Sequence, residues 1–282
     1  LHPVAHSFPT RRSSDLVKGM RQLMGSKFST HSLPLSNPDV PLVQTKDPEY
    51  GTIHKKLGNF VGIQKAPVDG VVTKVTEDAI QVTGADGKPT TITLAKKRPY
   101  ARMSYLDQRP VVKKGDRVKK DQLLAASNYT NDQGELAMMK NMNVAWMAYE
   151  GYSHEDGIPI SETAAKKLKA PILATPKYDV DEDNLLDKKT FRQKFPTKFS
   201  PEQLDTIDDQ GAVKPGTVVN YGDPIYLGLR KREADKSTLN KPLITDASKV
   251  WDKMYPGKVI RSTTRDDGVM VDIVSEASVK EG

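Results

Sequence analysis

The chain has 282 residues, of which 37% are hydrophobic, 6% aromatic and 28% charged, and its 43 Lys and Arg against 36 Asp and Glu give a net charge of +7. That composition supports a lean core and excludes disorder of the whole chain, though not of parts of it. The absence of cysteine excludes a disulfide framework, a zinc ribbon and a thiol nucleophile, and no apolar run approaches the roughly 20 residues that span a bilayer.

The chain starts at Leu1 and stops in Val279-Lys280-Glu281-Gly282 without a closing element, which leads us to expect a gene fragment truncated at both ends. Ser7-Phe8-Pro9-Thr10-Arg11-Arg12-Ser13-Ser14-Asp15-Leu16 looks like the in-frame translation of a DNA-sequencing adapter, so residues 1–16 are set aside as an artefact. Residues 17–60 lack a sustained period and read as extended chain with one helical turn. A barrel core is expected over 61–168, carrying a basic patch and a Glu-Asp turn. Within it, Gly70–Val75 and Ala79–Val82 alternate like half-buried strands, Gly84–Pro89 is turn chemistry, and Thr90–Leu94 is the returning strand. Val111–Val118 and Val219–Leu227 echo each other, each setting a Gly-Asp turn (Gly115-Asp116, Gly222-Asp223) beside an apolar strand. Asn143–Tyr149 is the most apolar strand candidate.

Ser161 reads as the N-cap of a short helix with Lys166 and Lys167 in its last turn. Residues 169–200 read as a charged variable insertion, exposed from Asp179 to Phe195. Residues 201–282 return to the barrel: Ser200-Pro201 opens a second helix with proline at its first position, and Val259–Thr264 and Val269–Val274 flank a hairpin turn. The expected fold class is mainly β with short helices (α+β), barrel-like.

Several motifs have plain explanations. Gly84–Thr90 is too short between its glycines for a phosphate loop and leads into a strand. Asp179, Asp181 and Asp183 have calcium-loop spacing, but Asn184 and Thr190 stand where glycine and glutamate are required. The five histidines have no ligand spacing, and no hydrolase motif occurs. More is concentrated after Leu94. Lys96, Lys97, Arg98, Arg102, Arg109, Lys113, Lys114, Arg117, Lys119 and Lys120 face only Asp107 and Asp116, a local excess that phosphate-backbone binding would require and that a solvated turn would also display. Ala137–Met142 is a near miss to a biotin-carrier hairpin, with Asn141 intervening between Lys140 and Met142. Glu155-Asp156 places adjacent carboxylates in a polar turn, suited to turn chemistry or to a hydrated divalent cation.

Taken together, these segments resemble the β subunit of bacterial-type multisubunit DNA-directed RNA polymerases. Arg21-Gln22-Leu23-Met24-Gly25-Ser26-Lys27 and Pro41-Leu42-Val43 look like that family's Arg-x-x-Met-Gly-Ser-Asn stretch and the Pro-Leu-Val after it. Gln108-Arg109-Pro110-Val111 and Gly115-Asp116-Arg117-Val118 are similar to its next barrel segment. Gly134-Glu135-Leu136-Ala137, Asn141, Val144-Ala145-Trp146-Met147, Gly151-Tyr152, Glu155-Asp156 and Ser161-Glu162 follow the family's order at nearly its spacing. Lys27, Thr30 and Ser153 depart from it, and the downstream motif with two active-centre lysines is absent, which suits a divergent, even virus-encoded, member.

The resemblance implies the central hybrid-binding region and template-directed nucleotidyl transfer with Mg²⁺, whose primary ligands lie on the partner β′ subunit. It implies that Glu155 and Asp156 act as auxiliary catalytic residues on the substrate-metal side, Asp156 only indirectly as a metal residue. Arg21 and Lys27 would bind nucleotide or RNA phosphate, and Lys96, Lys97, Arg98, Arg102, Arg109, Lys113 and Lys114 would bind nucleic acid. The implied partners are the β′ and other polymerase subunits, template DNA, nascent RNA and nucleoside triphosphates, with no membrane and a cytoplasmic site, and this stretch alone is expected to be inactive. A biotinyl or lipoyl carrier built on Lys140 ranks second, and a non-enzymatic nucleic-acid-binding barrel third.

Overall fold

The computed structural model describes residues 19–20, 23–24, 32–100, 103–155, 157–232, 243–265 and 267–279. Residues 1–16, Arg21, Lys27, Arg102 and Asp156 lie outside them. The chain divides into two units, Leu1–Pro159 and Ile160–Gly282.

The first unit opens on a tight hairpin of β1 (Lys46–Asp47) and β2 (Gly51–Thr52). Asp47 closes its turn by accepting the N–H groups of Glu49 (3.0 Å) and Tyr50 (2.9 Å) and the Lys56 ammonium (3.1 Å). Helix α1 (Ile53–Gly58) follows, its first turn capped by the Thr52 hydroxyl. After it come β3 (Gln64–Lys65), β4 (Gly70–Val75), β5 (Ala79–Gly84), β6 (Pro89–Thr93), the hairpin β7 (Arg98–Tyr100) and β8 (Ser104–Leu106), then β9 (Gln108–Pro110), β10 (Arg117–Val118) and β11 (Leu123–Ser127). They form sheets of order β10-β4-β5-β6 and β3-β11-β9. The alternation read from the sequence turns Val72, Ile80 and Val82 inward, where they join Ala66, Leu94, Val112, Val118, Leu124 and Ala125.

The second unit starts with α2 (Glu162–Lys167), capped by Ser161 as expected. It continues through β12 (Ala170–Ala174), β13 (Lys177–Asp179), β14 (Asn184–Leu186), α3 (Lys188–Lys194) and α4 (Pro201–Asp205), whose capping box pairs Ser200 with Gln203. Then come β15 (Val218–Val219), β16 (Pro224–Tyr226), β17 (Gly228–Arg232), β18 (Leu243–Asp246), β19 (Lys249–Val250), β20 (Gly257–Arg265) and β21 (Gly268–Ala277). Its main sheet runs β12-β21-β20-β15, with β13 also on β21.

The fold is mainly β with short helices, as expected; among the described residues no sheet closes on itself, and the strands form separate small sheets. Two local readings need correction. Asn143–Tyr149 forms no strand and is largely exposed, because no neighbour among the described residues supplies a ladder for it. The stretch Asp179–Phe195 is not uniformly exposed: α3 turns Phe191 into the core beside Phe195 and Phe199.

The echo between the two Gly-Asp segments is real, but its register lies one turn away from the one expected. In the first unit the Gly115 N–H donates to Val72 O (2.8 Å) and the Val72 N–H to Asp116 O (2.9 Å). In the second, Gly216 donates to Val259 O (2.8 Å) and Val259 to Thr217 O (2.9 Å). Asp121 and Ala66 bond as Gly222 and Trp251 do: Asp121 N–H to Ala66 O (2.9 Å) and Ala66 N–H to Gln122 O (2.8 Å), against Gly222 to Trp251 (2.9 Å) and Trp251 to Asp223 (2.8 Å). The β4–β5 pairing slips between Val72 and Lys74, and the β20–β21 pairing slips between Val259 and Arg261. The β3–β11 pairing slips between Leu123 and Ala125, and β16–β19 between Pro224 and Tyr226. One backbone design thus occurs twice, with its halves in exchanged order. The long hairpin precedes the paired turns in the first unit and follows them in the second.

Candidate functional site

The basic residues of the first unit separate into two kinds. Arg109 is a brace. Its Nε (3.0 Å) and Nη2 (2.9 Å) donate to Asp132, its Nη1 to Ser127 O (2.8 Å) and its Nη2 to Thr130 O (2.9 Å). The fork geometry of guanidinium suits it to tie one loop at several points. Lys96 is also committed, donating from Nζ to Gln108 O (2.8 Å). Lys97 sits in the left-handed region (φ +45°) and its N–H reaches Asp107 Oδ1 (3.3 Å). Arg98, Lys113 and Lys114 are exposed and enter no ion pair among the described residues. Lys113 lies on the turn that Asp116 closes by accepting its backbone N–H (2.7 Å).

Lys140 belongs to a strap joining chain segments far apart in sequence. Asp39 N–H donates to Met139 O (2.7 Å) and Leu35 N–H to Met138 O (3.1 Å). Across this contact Lys140 Nζ reaches Asp39 Oδ1 (2.6 Å) and Asn37 O (3.0 Å), and Asn141 Nδ2 donates to Val40 O (2.9 Å). The Lys140 side chain is 17% exposed. A carrier lysine has to project freely for modification, so this strap disfavours the carrier reading. Nothing in sequence spacing marks Asp39 as the partner of a lysine 101 residues away.

Beyond the strap, the described residues 143–155 and 157–160 run without regular structure and expose Val144, Trp146, Met147, Tyr152 and Ile158, Trp146 to 97%. Two turns shape the segment, Tyr152 N–H to Tyr149 O (2.8 Å) and Gly157 N–H to His154 O (2.9 Å). Glu155 sits in the second of these at φ +53°, a left-handed conformation costing a non-glycine residue roughly 1–2 kcal/mol. Its carboxylate is exposed, with His154 Nε2 at 3.8 Å. Among the described residues no three His, Cys, Asp or Glu side chains converge to hold a metal ion. The described part of this chain therefore does not fit a metal centre of its own.

The paired hairpin and turns lie within the part of the chain, residues 65–280, that matches the family model described as RNA polymerase Rpb2, domain 6. The DNA-directed RNA polymerase subunit beta of Synechococcus elongatus is 31% identical over 226 residues, covering 79% of this chain and 20% of its own. That of Thermosynechococcus vestitus is 32% identical with the same coverage, and that of Clostridium botulinum is 33% identical over 205 residues, covering 72% and 16%. This chain spans a fifth or less of the length of these relatives. A shared pattern over most of the chain, spanning both units, makes it a member of the family of DNA-directed RNA polymerase β subunits.

Proposed function

We propose that this chain is a working stretch of a DNA-directed RNA polymerase, taking part in template-directed nucleotidyl transfer and in holding the RNA–DNA hybrid. The observation that supports this most is the family match across residues 65–280. Its partners are then the β′ subunit and the other polymerase subunits, template DNA, nascent RNA and nucleoside triphosphates, in the cytoplasm. The Mg²⁺ ions that such a reaction uses take their primary ligands from β′. Glu155 and Asp156 act beside them as auxiliary groups, orienting basic side chains and water. Arg21 and Lys27 bind the nucleotide or RNA phosphates, where a guanidinium can bind in two-pronged fashion. Of the basic residues assigned to nucleic acid, Arg98, Lys113 and Lys114 are free to contact phosphate and Lys97 lies beside Arg98; Arg102, outside the described residues, is assigned with them from its place in the sequence. Arg109 and Lys96 support it by holding the backbone beneath.

Glu155 supports the assignment in one physical respect: it holds a strained backbone angle in an exposed turn where no core contact requires it. The test is transient kinetics on the assembled enzyme. Replacing Glu155 and Asp156 together by Ala should slow nucleotide addition in part and raise the Mg²⁺ or nucleotide requirement, with assembly and template binding intact. A normal addition rate in a well-assembled mutant defeats the assignment. The 282-residue chain alone should add no nucleotides.

A further inference from the structure

The duplicated backbone allows each residue of one unit to be compared with the residue that does the same structural work in the other. Gly115 and Gly216 take matching bonds, as do Gln122 and Asp223, so the residues between them correspond one to one. Lys114, Arg117, Lys119 and Lys120 of the first unit correspond to Pro215, Val218, Asn220 and Tyr221 of the second. Lys65, opposite Leu123, corresponds to Val250, opposite Pro224. Lys113 alone has a cationic counterpart, Lys214, whose Nζ is bonded to Asp205 O (2.9 Å).

The same turns and strand pairings therefore form without those cations, so folding does not explain their presence. All six cations of the first unit are exposed and enter no ion pair among the described residues. Two acids nearby are occupied by backbone, Asp116 accepting the Lys113 N–H and Asp69 the Lys120 N–H (2.5 Å), and among the described residues the exposed Asp121 is the one acid set against the six cations there. Between the cations the inward residue is Val118, 3% exposed, and the outward apolar groups beside the strip are the small side chains of Val68 and of Val71, which pairs with Arg117.

We infer that the strip Lys113–Lys120, extended by Lys65, is a binding surface for the phosphate backbone of a nucleic-acid duplex, read without regard to sequence. A dense row of unpaired cations gives phosphate binding that weakens as salt rises. An acidic protein partner would call for large aromatic or aliphatic anchors, and beside the strip only the small side chains of Val68 and Val71 are exposed among the described residues. The strip also lacks the aromatic platforms on which single strands stack, so a duplex is the better fit. This goes beyond the residues assigned above by adding Lys65, Arg117, Lys119 and Lys120 and by leaving out Arg109 and Lys96. It rests on the polymerase reading only for the choice of nucleic acid among polyanions.

The experiment is fluorescence anisotropy of the 282-residue chain with a labelled DNA duplex of arbitrary sequence across a salt series. Replacing Lys119 and Lys120 by Ala should weaken binding to unrelated sequences alike and make the slope of log affinity against log salt shallower by about 2, roughly one for each phosphate that is no longer neutralised. The Lys214→Ala variant should leave the slope unchanged. Calorimetry, with the transition of the unit that carries each substitution kept at its unsubstituted position, checks that each variant is folded. An unchanged slope in the double variant overturns the inference. So does tighter binding to polyglutamate, which would indicate an acidic protein, or to a single strand of the same length. Because binding is read without catalysis, a failure here leaves nucleotide addition untouched, and an inactive assembled enzyme leaves this result standing.

Discussion

Ala66 and Trp251 make the same pair of backbone hydrogen bonds to matching turns, yet one carries a methyl group and the other an indole. Around Ala66 the buried cluster has nine residues, none aromatic, whereas Trp251 sits among seventeen that include Tyr178, Phe191, Phe199 and Tyr226. The difference teaches that this design is specified by its hydrogen-bonded turns and slipped strand pairings, while core volume is free to vary around them. Burial of large aromatic groups contributes more hydrophobic stabilisation per residue, so the second unit is expected to be the more stable of the two.

The sharpest way to break that contrast is Trp251→Ala, which removes a fully buried side chain and its Nε1–H bond to Tyr255 O (2.9 Å). A loss of about 3–5 kcal/mol is expected. Calorimetry should show the transition of the second unit moving down and that of the first unchanged; equal shifts in both would mean that the units do not unfold separately.

The matched glycines Gly70 and Gly257, which open the two long hairpins, sharpen the comparison further. A Cβ on Gly70 would collide with the backbone carbonyl of Thr83, which cannot move aside, whereas on Gly257 it would press on the side chains of Ile273 and Trp251. Gly70→Ala should cost about 2–3 kcal/mol and Gly257→Ala about 1–2 kcal/mol, within the usual range for overpacking. Urea denaturation of each variant gives the order, and a costlier Gly257→Ala would reverse the reading.

A smaller effect is expected at the second turn, where Gly222 at φ +87° corresponds to Asp121 at φ +65°. Both positions are left-handed, which glycine adopts freely and aspartate at a penalty. Gly222→Ala should destabilise by about 1 kcal/mol, and Asp121→Gly should be neutral to stabilising by a few tenths. A destabilised Asp121→Gly would show that its side chain, not its backbone, matters.

The least effect concerns acid. The backbone N–H and side-chain amide of Asn184 hold Asp181 below the usual carboxylate range, the Thr190 hydroxyl does so for Asp187, and Lys177 for Asp267. In the first unit the described counterpart is Asp47, lowered chiefly by the Tyr50 N–H. A carboxyl with a lowered folded pKa adds stability above its unfolded value, and loses it as pH falls through the folded one. Acid below about pH 4 should therefore erode the second unit's advantage, and circular dichroism melts at falling pH would reveal convergence of the two transitions.

Local chemistry was legible in the sequence. The hairpin at 70–94, the Ser161 and Ser200 caps, the proline opening the second helix and the turn before Val269 depend on neighbours a few residues away, and each formed where expected. The polymerase motifs were likewise readable as an ordered series, and family membership followed from them. Asn143–Tyr149 misled because an apolar, β-prone run becomes a strand only beside another strand, and none lies beside it among the described residues. The stretch before Phe195 misled because its charges hide one inward-facing phenylalanine.

What the amino-acid order determined by itself was the set of turns, caps and hairpins, since these are settled within a few residues of chain, and the family that their motifs announce. Tertiary structure alone decided which cations are free. Arg109 reaches Asp132 and the loop at Ser127–Thr130, and Lys140 reaches Asp39, across separations that no spacing rule encodes. It alone decided the register of the duplication as well, because equivalence there is carried by backbone bonds between distant strands and hardly by side-chain identity.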